Sequence, residues 1–132
     1  MNESKVLGKF ARLYVSKITK FGVMLRSFEE KDLEVLLPNN QVKKETEKGD
    51  FYEVFLYKDS EDRLIATTQR PYLSLGETAV LEVKDVTGIG AFLDWGLAKD
   101  LLLPFKEQTK KVHLGEHVLV ALYIDKSSRL CA

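Results

Sequence analysis

AVLEVKDVTGIGAFL, residues Ala79 to Leu93, has a near-copy earlier in the chain. ARLYVSKITKFGVML, Ala11 to Leu25, matches it at Ala11/Ala79, Leu13/Leu81, Val15/Val83, Thr19/Thr87, Gly22/Gly90 and Leu25/Leu93. Each pair lies 68 positions apart (79 less 11). The match resumes 66 positions apart (102 less 36) at Leu36/Leu102, Leu37/Leu103, Pro38/Pro104, Gly49/Gly115, Tyr57/Tyr123, Asp59/Asp125, Arg63/Arg129, Leu64/Leu130 and Ala66/Ala132. The order is kept, and the one shift falls between two strand candidates. Chance similarity between β-rich segments would not hold so many positions in step. The repeat divides the chain into two copies of one small domain, 1–70 and 71–132. They meet near TTQRPYLSLGE, Thr67 to Glu77, where Pro71 and Gly76 break regular structure.

Each copy reads as five short strands. In the second, LEVKDV alternates as a half-buried strand does; Ala91 to Asp94 and Asp100 to Leu103 follow. A polar connection from Phe105 to Lys111 has room for one helical turn. HVLVALYID, His117 to Asp125, places Val118, Val120, Leu122 and Ile124 on one side, and a last strand begins at Arg129. The first copy gives the same series, with FYEVFLYKD as its fourth strand. No segment carries a helical stripe of three turns. The expected fold is all-β: two tandem five-stranded barrels of the OB type, with an SH3-like topology as the alternative that periodicity alone leaves open.

Composition narrows the function. The 132 residues carry 20 Lys plus Arg against 20 Asp plus Glu, a net charge of zero. That argues against a broad basic face for duplex DNA and leaves room for a local groove. The single cysteine, Cys131, permits no internal disulfide and fits a reducing interior. No apolar run approaches the roughly 20 residues that cross a bilayer, and the N-terminus lacks a signal-peptide core. A cytoplasmic protein without a membrane partner is the expectation.

TGIGAFLDWGLAKDLLLP, Thr87 to Pro104, poses a choice between a phosphate loop and a surface hairpin. A dinucleotide loop needs glycine where Leu93 stands, no Gly-Lys-Ser/Thr is present, and no long helix follows. His113 and His117 are too few for a metal site, and Ser127-Ser128 beside Asp125 reads as a turn. No cofactor, metal or catalysis is expected. The hairpin explains more. Gly22 and Gly90 sit between the first and second strands, where glycine permits a bend or bulge. Phe21 and Met24, and in the second copy Ile89 and Phe92, then point outward. Packing of Phe21 and Phe92 in the core is the competing reading, and Trp95 suits core, interdomain or ligand contact.

The glycine–aromatic second strand, the Leu-Leu-Pro third strand and an Asp four residues before an Arg at the last strand together resemble the S1-type RNA-binding domain. FLDWGLAKDLLLPFKEQ is similar to the conserved virulence factor B family of bacterial RNA-binding regulators, which string several S1-type domains before a winged helix. The resemblance implies that the chain is an N-terminal fragment whose partners are single-stranded RNA and its own further S1-like and winged-helix domains. It implies a non-enzymatic post-transcriptional regulator, binding through Phe21, Met24, Asp59 and Arg63 in the first copy and Ile89, Phe92, Asp125 and Arg129 in the second. Arg63 and Arg129 are the phosphate candidates; Asp59 and Asp125 orient them or accept from a base. Lys17, Lys20 and Arg26 add charge. Many members of that family place a histidine where Pro38 and Pro104 stand, so the platform is thinned. A surface ion pair is the plainer reading of each Asp–Arg pair, and a protein-interaction or spacer module is the alternative function.

Overall fold

The computed structural model describes residues 6–108 and 110–132. They form two compact units, divided between Gln69 and Arg70. In the first, β1 (Phe10–Thr19), β2 (Gly22–Arg26), β3 (Glu34–Pro38), β4 (Phe51–Lys58) and β5 (Leu64–Thr67) close a barrel in the order β1-β2-β3-β5-β4. Closure is made by the parallel pairing of Leu36 with Ile65 between β3 and β5. This strand order is that of the OB-fold and sets aside the SH3-like alternative.

The alternation read from sequence directs the packing. Leu13, Val15, Val23, Leu25, Val35 and Leu37 point inward and are buried, together with Val54, Leu56 and Ala66 of β4 and β5. Their strand neighbours therefore face out. The ten-residue β1 pairs with β4 through Phe10 to Tyr14 and with β2 from Tyr14 onward, and its register on β2 shifts between Val15 and Lys17. Ser16 is the extra residue. Beside it, the Val15 N–H donates to Asp50 O at 2.9 Å and Val15 O accepts the Gly49 N–H at 2.9 Å. Gly49 reaches that position with a φ of +90°.

The second unit repeats this plan. β6 (Thr78–Thr87), β7 (Gly90–Asp94), β8 (Leu101–Pro104) and β9 (His117–Ala121) form a sheet in the order β8-β7-β6-β9. β10 (Tyr123–Ile124) and β11 (Leu130–Cys131) form a separate ribbon. The strand expected over His117 to Asp125 is thus interrupted at Leu122, whose N–H goes to Glu77 O and whose carbonyl accepts the Gly76 N–H. Leu56 makes the equivalent bonds to Lys9 and Gly8, yet β4 runs on because Leu56 also pairs with Ala66. The Ala132 N–H donates to Leu102 O at 2.8 Å and supplies the link that Leu36–Ile65 makes in the first unit. The helical turn expected from Phe105 is a single 3-10 turn, Phe105–Glu107.

The bend expected at the glycines lies elsewhere, and the glycines have another task. The register shifts fall at Ser16 and, in β6, between Val83 and Asp85. Gly22 and Gly90 open β2 and β7 with φ of +149° and +150°. A Cβ at either would run into the carbonyl oxygen of Leu37 or Leu103. Glycine is required both for the backbone angle and for the close approach of the next strand. Gly22→Ala and Gly90→Ala are each expected to destabilise the unit that carries them by about 2 kcal/mol or more. Chemical denaturation of each variant checks this; a loss within about 0.5 kcal/mol would contradict it.

Candidate nucleic-acid interface

The turn before each glycine is built by its threonine. Thr19 Oγ1 donates to Gly22 O at 2.8 Å and accepts the Phe21 N–H at 3.2 Å. Thr87 does the same for Gly90 and Ile89, at 3.2 and 3.3 Å. In the first unit Asn39 adds a brace: its N–H reaches Phe21 O at 3.0 Å and its side-chain amide bonds Lys20 O. Phe21 is thereby fixed in backbone while its side chain stands out, 66% exposed. Lys20 Nζ lies 5.2 Å from the ring centroid. Ile89 holds the same place in the second unit, 63% exposed.

From Phe21 an apolar stripe crosses the barrel. Met24 pairs with Leu36, Leu36 with Ile65 and Ile65 with Tyr57, and all four are half-buried on the outer face. In the second unit Phe92 pairs with Leu102, and Tyr123 with Cys131. Phe92 is half-buried, whereas Cys131 is buried and its thiol donates to Asp125 Oδ2 at 3.4 Å. Burial, then the neighbouring Asp125, pushes that thiol up to about 11. Trp95 belongs to the core: it is 2% exposed, and Nε1–H donates to Lys99 O at 2.6 Å.

The Asp–Arg pairs occupy the turns after β4 and β10; in the first unit that turn follows Tyr57, at the opposite end of the stripe from Phe21. Asp59 Oδ1 accepts the N–H groups of Glu61 (2.9 Å) and Arg63 (3.0 Å), and Oδ2 meets Arg63 Nε at 3.1 Å. Asp125 Oδ1 accepts the Ser127 N–H and hydroxyl and the Arg129 N–H, at 2.9, 2.7 and 3.0 Å. These bonds hold turns in which Asp62 and Ser128 take φ of 66° and 64°. The carboxylates are thus turn organisers first. Arg63 also meets Glu61 at 3.2 Å, yet its side chain stays 69% exposed. Exposed pairs of this kind contribute under about 1 kcal/mol, so the guanidinium is readily exchanged onto another anion.

Charge separates the two faces. Lys17 lies opposite Met24 in register, and Arg26 opposite Tyr14. The matching positions in the second unit are Asp85, opposite Phe92, and Asp94, opposite Glu82. Burial, then Asp94, raises the carboxyl of Asp100. Beside its apolar residues the first face carries Lys17 and Arg26, the latter 3.8 Å from Glu34, and the second carries Asp85 and Asp94. Sequence reasoning named Lys17, Lys20 and Arg26 and passed over this inversion, although it is visible by laying Lys17 on Asp85 and Arg26 on Asp94. It also missed Phe105, half-exposed after Pro104, which pairs with Gly90.

This geometry has relatives. The chain belongs to the S1 domain family, whose model matches residues 7–69 and again 75–132. It is 37% identical over 97 residues to the protein YitL of Bacillus subtilis (strain 168), covering 73% of this chain and 32% of that one. It is 30% identical over 92 residues to conserved virulence factor B of Staphylococcus haemolyticus (strain JCSC1435), covering 67% and 31%. The chain therefore spans about a third of the length of these curated relatives. Among solved structures, a multidomain protein with nucleic acid binding domains from Streptococcus pneumoniae TIGR4 superposes with a TM-score of 0.80 at 19% identity, covering 99% of this chain and 46% of that chain. At that identity the likeness is one of fold.

Burial pushes the Asp59 and Asp125 carboxyls up. Hydrogen bonds from Arg63 and Glu61, and from Ser127, Arg129 and Cys131, outweigh it and hold both below the ordinary carboxylate value. Groups depressed in the folded state contribute stability above their unfolded value, near pH 4, and lose it as pH falls through the folded one. Asp59→Asn with Asp125→Asn should flatten the loss of melting temperature on acidification below about pH 4. An acid profile unchanged from the parent would contradict this role.

Proposed function

We propose that the chain binds single-stranded RNA on the outer faces of its barrels, with the first unit providing most of the affinity. The observation that carries this is Phe21, an exposed ring on a braced turn at the head of the Met24–Leu36–Ile65 stripe, with Lys17, Lys20 and Arg26 alongside. Unpaired bases offer flat faces, and a ring of this kind stacks on them for roughly 1–3 kcal/mol per base. The cations meet the phosphates between stacked bases, and Arg63 waits at the far end of the stripe. Little on this face reads base edges, so sequence preference is weak. Met24, Ile89 and Phe92 extend the apolar contact, Arg129 is the second unit's phosphate candidate, and Asp59 and Asp125 act by shaping the turns.

In this reading the chain is the RNA-holding part of a larger cytoplasmic regulator that acts on messages after transcription, alongside further S1-like and winged-helix domains. Two linked faces strengthen binding that each alone gives weakly. The S1 domain matches and the nucleic acid binding domains of the multidomain Streptococcus structure support the nucleic-acid part of this reading. A single cysteine, which permits no internal disulfide, suits a reducing compartment.

The test is fluorescence anisotropy with a labelled oligouridine of about 12 nucleotides, within the span of one to two OB-folds. Phe21→Ala should weaken binding roughly 5-fold or more, with no loss of fold, since the ring is exposed. Absence of binding by the parent at low salt would reject the function and favour a protein-interaction module. The charge inversion gives a second expectation. Asp85→Lys, which copies Lys17 into the second unit, should raise affinity and steepen the salt dependence by about 0.7 for each additional phosphate neutralised. Unchanged or weaker binding would show that the second face takes no part.

A further inference from the structure

The first unit carries a second group of rings that the Phe21 platform does not use. Tyr14 lies on β1, opposite Arg26 of β2 and Phe51 of β4. Phe28, in the β2–β3 loop, stacks on Tyr14 with centroids 4.3 Å apart and planes 21° from parallel. It also meets Phe51 at 6.1 Å, tilted by 50°. The guanidinium of Arg12 lies 4.4 Å from the Phe51 ring centroid.

One face of Phe28 is covered by Tyr14, yet the residue is 68% exposed, so its other face is in water. The loop presents it firmly. Ser27 Oγ accepts the N–H groups of Glu29 and Glu30 at 3.1 and 3.0 Å, and Arg26 Nη2 donates to Lys31 O at 2.9 Å. Shallow grooves flank the ring, one carrying Lys17, Arg26 and Lys31, the other Lys9 and Arg12. Glu34 lines the first groove, and Glu29 and Glu30 the second, so flat ring faces rather than net charge must supply the attraction.

The second unit serves as an internal comparison. Where the first has Arg12, Tyr14 and Phe51, it has Val80, Glu82 and His117. Its own loop ring, Trp95, is buried in the core. The exposed stack is therefore no requirement of the fold.

Resting on the RNA-binding reading, we propose that Phe28, seated on Tyr14 and flanked by Arg12 and Arg26, is a second stacking site that takes a base of the same single strand. Continuity supports this occupant. Arg26 stands between the two platforms, two residues from Met24 along β2 and opposite Tyr14 across to β1. A strand leaving Met24 meets a cation and then a flat face, the sequence of contacts that single strands use.

The experiment titrates the 132-residue chain with labelled oligouridines of about 4 and about 12 nucleotides, the short one able to fill a single platform. Phe28→Ala should weaken the long oligonucleotide roughly 5- to 30-fold and leave the short one within about twofold. Phe28→Leu, which keeps apolar bulk without a flat face, should fall with alanine, and Phe28→Trp should retain affinity. Circular dichroism should be unchanged in all three. Long-oligonucleotide affinity within about twofold across the Phe28 series, with Phe21→Ala still weakening it, overturns this site alone and leaves the rings to a protein partner. No binding by the parent overturns the RNA reading and this site together.

Discussion

The missing side chain at Gly22 sets much of the first unit's surface. With only hydrogen there, β2 opens hard against the Leu37 carbonyl, and the turn ahead of it is drawn tight by Thr19. Phe21 sits in that turn with its ring exposed. The same approach sets the register of β2 on β3, which puts Met24 beside Leu36 and, through closure, beside Ile65. Gly90, Thr87 and Leu103 repeat the device, and Phe92 lands beside Leu102. The apolar face follows from a constraint that belongs to the backbone.

The two copies then diverge in what surrounds that shared frame. Substitutions on outward positions of β1 and β2 leave the core untouched, because Leu13, Val15, Val23 and Leu25 all face the other way. Lys17 and Arg26 therefore change to Asp85 and Asp94 without cost to packing. Tyr14 and Phe51 change to Glu82 and His117 on the same terms. An internal repeat of this kind lets one fold carry a cation-flanked face and an acid-flanked one. The two faces differ in what stands across one strand pair: Lys17 opposite Met24 and Arg26 opposite Tyr14 in the first, Asp85 opposite Phe92 and Asp94 opposite Glu82 in the second.

The repeat made the fold legible. Thr19/Thr87, Gly22/Gly90, Gly49/Gly115 and Asp59/Asp125 are identical because each holds a turn or a close approach, and backbone demands of that sort persist in both copies. Alternation identified the inward residues of β1 and β6. The Ser16 and Lys84 bulges were not legible, since a bulge has no side-chain signature when the residue faces solvent. Nor was the interruption at Leu122, which depends on where a backbone N–H finds its acceptor. Phe21, Met24, Ile89 and Phe92 were placed on the outer face from strand pattern and family resemblance. Asp59 and Asp125 were read as partners of arginine, while their main bonds go to backbone N–H groups, which sequence does not display. Phe28 escaped because nothing local tells a loop ring that is buried, as Trp95 is, from one that stays out.

The most direct test of the central claim is a nuclear magnetic resonance titration of the isotope-labelled chain with oligouridine. The account predicts that resonances of Phe21, Met24, Leu36 and Ile65 move first and furthest, with the inward face of the barrel still. Saturable shifts confined to other surfaces, with these four unmoved, would contradict it.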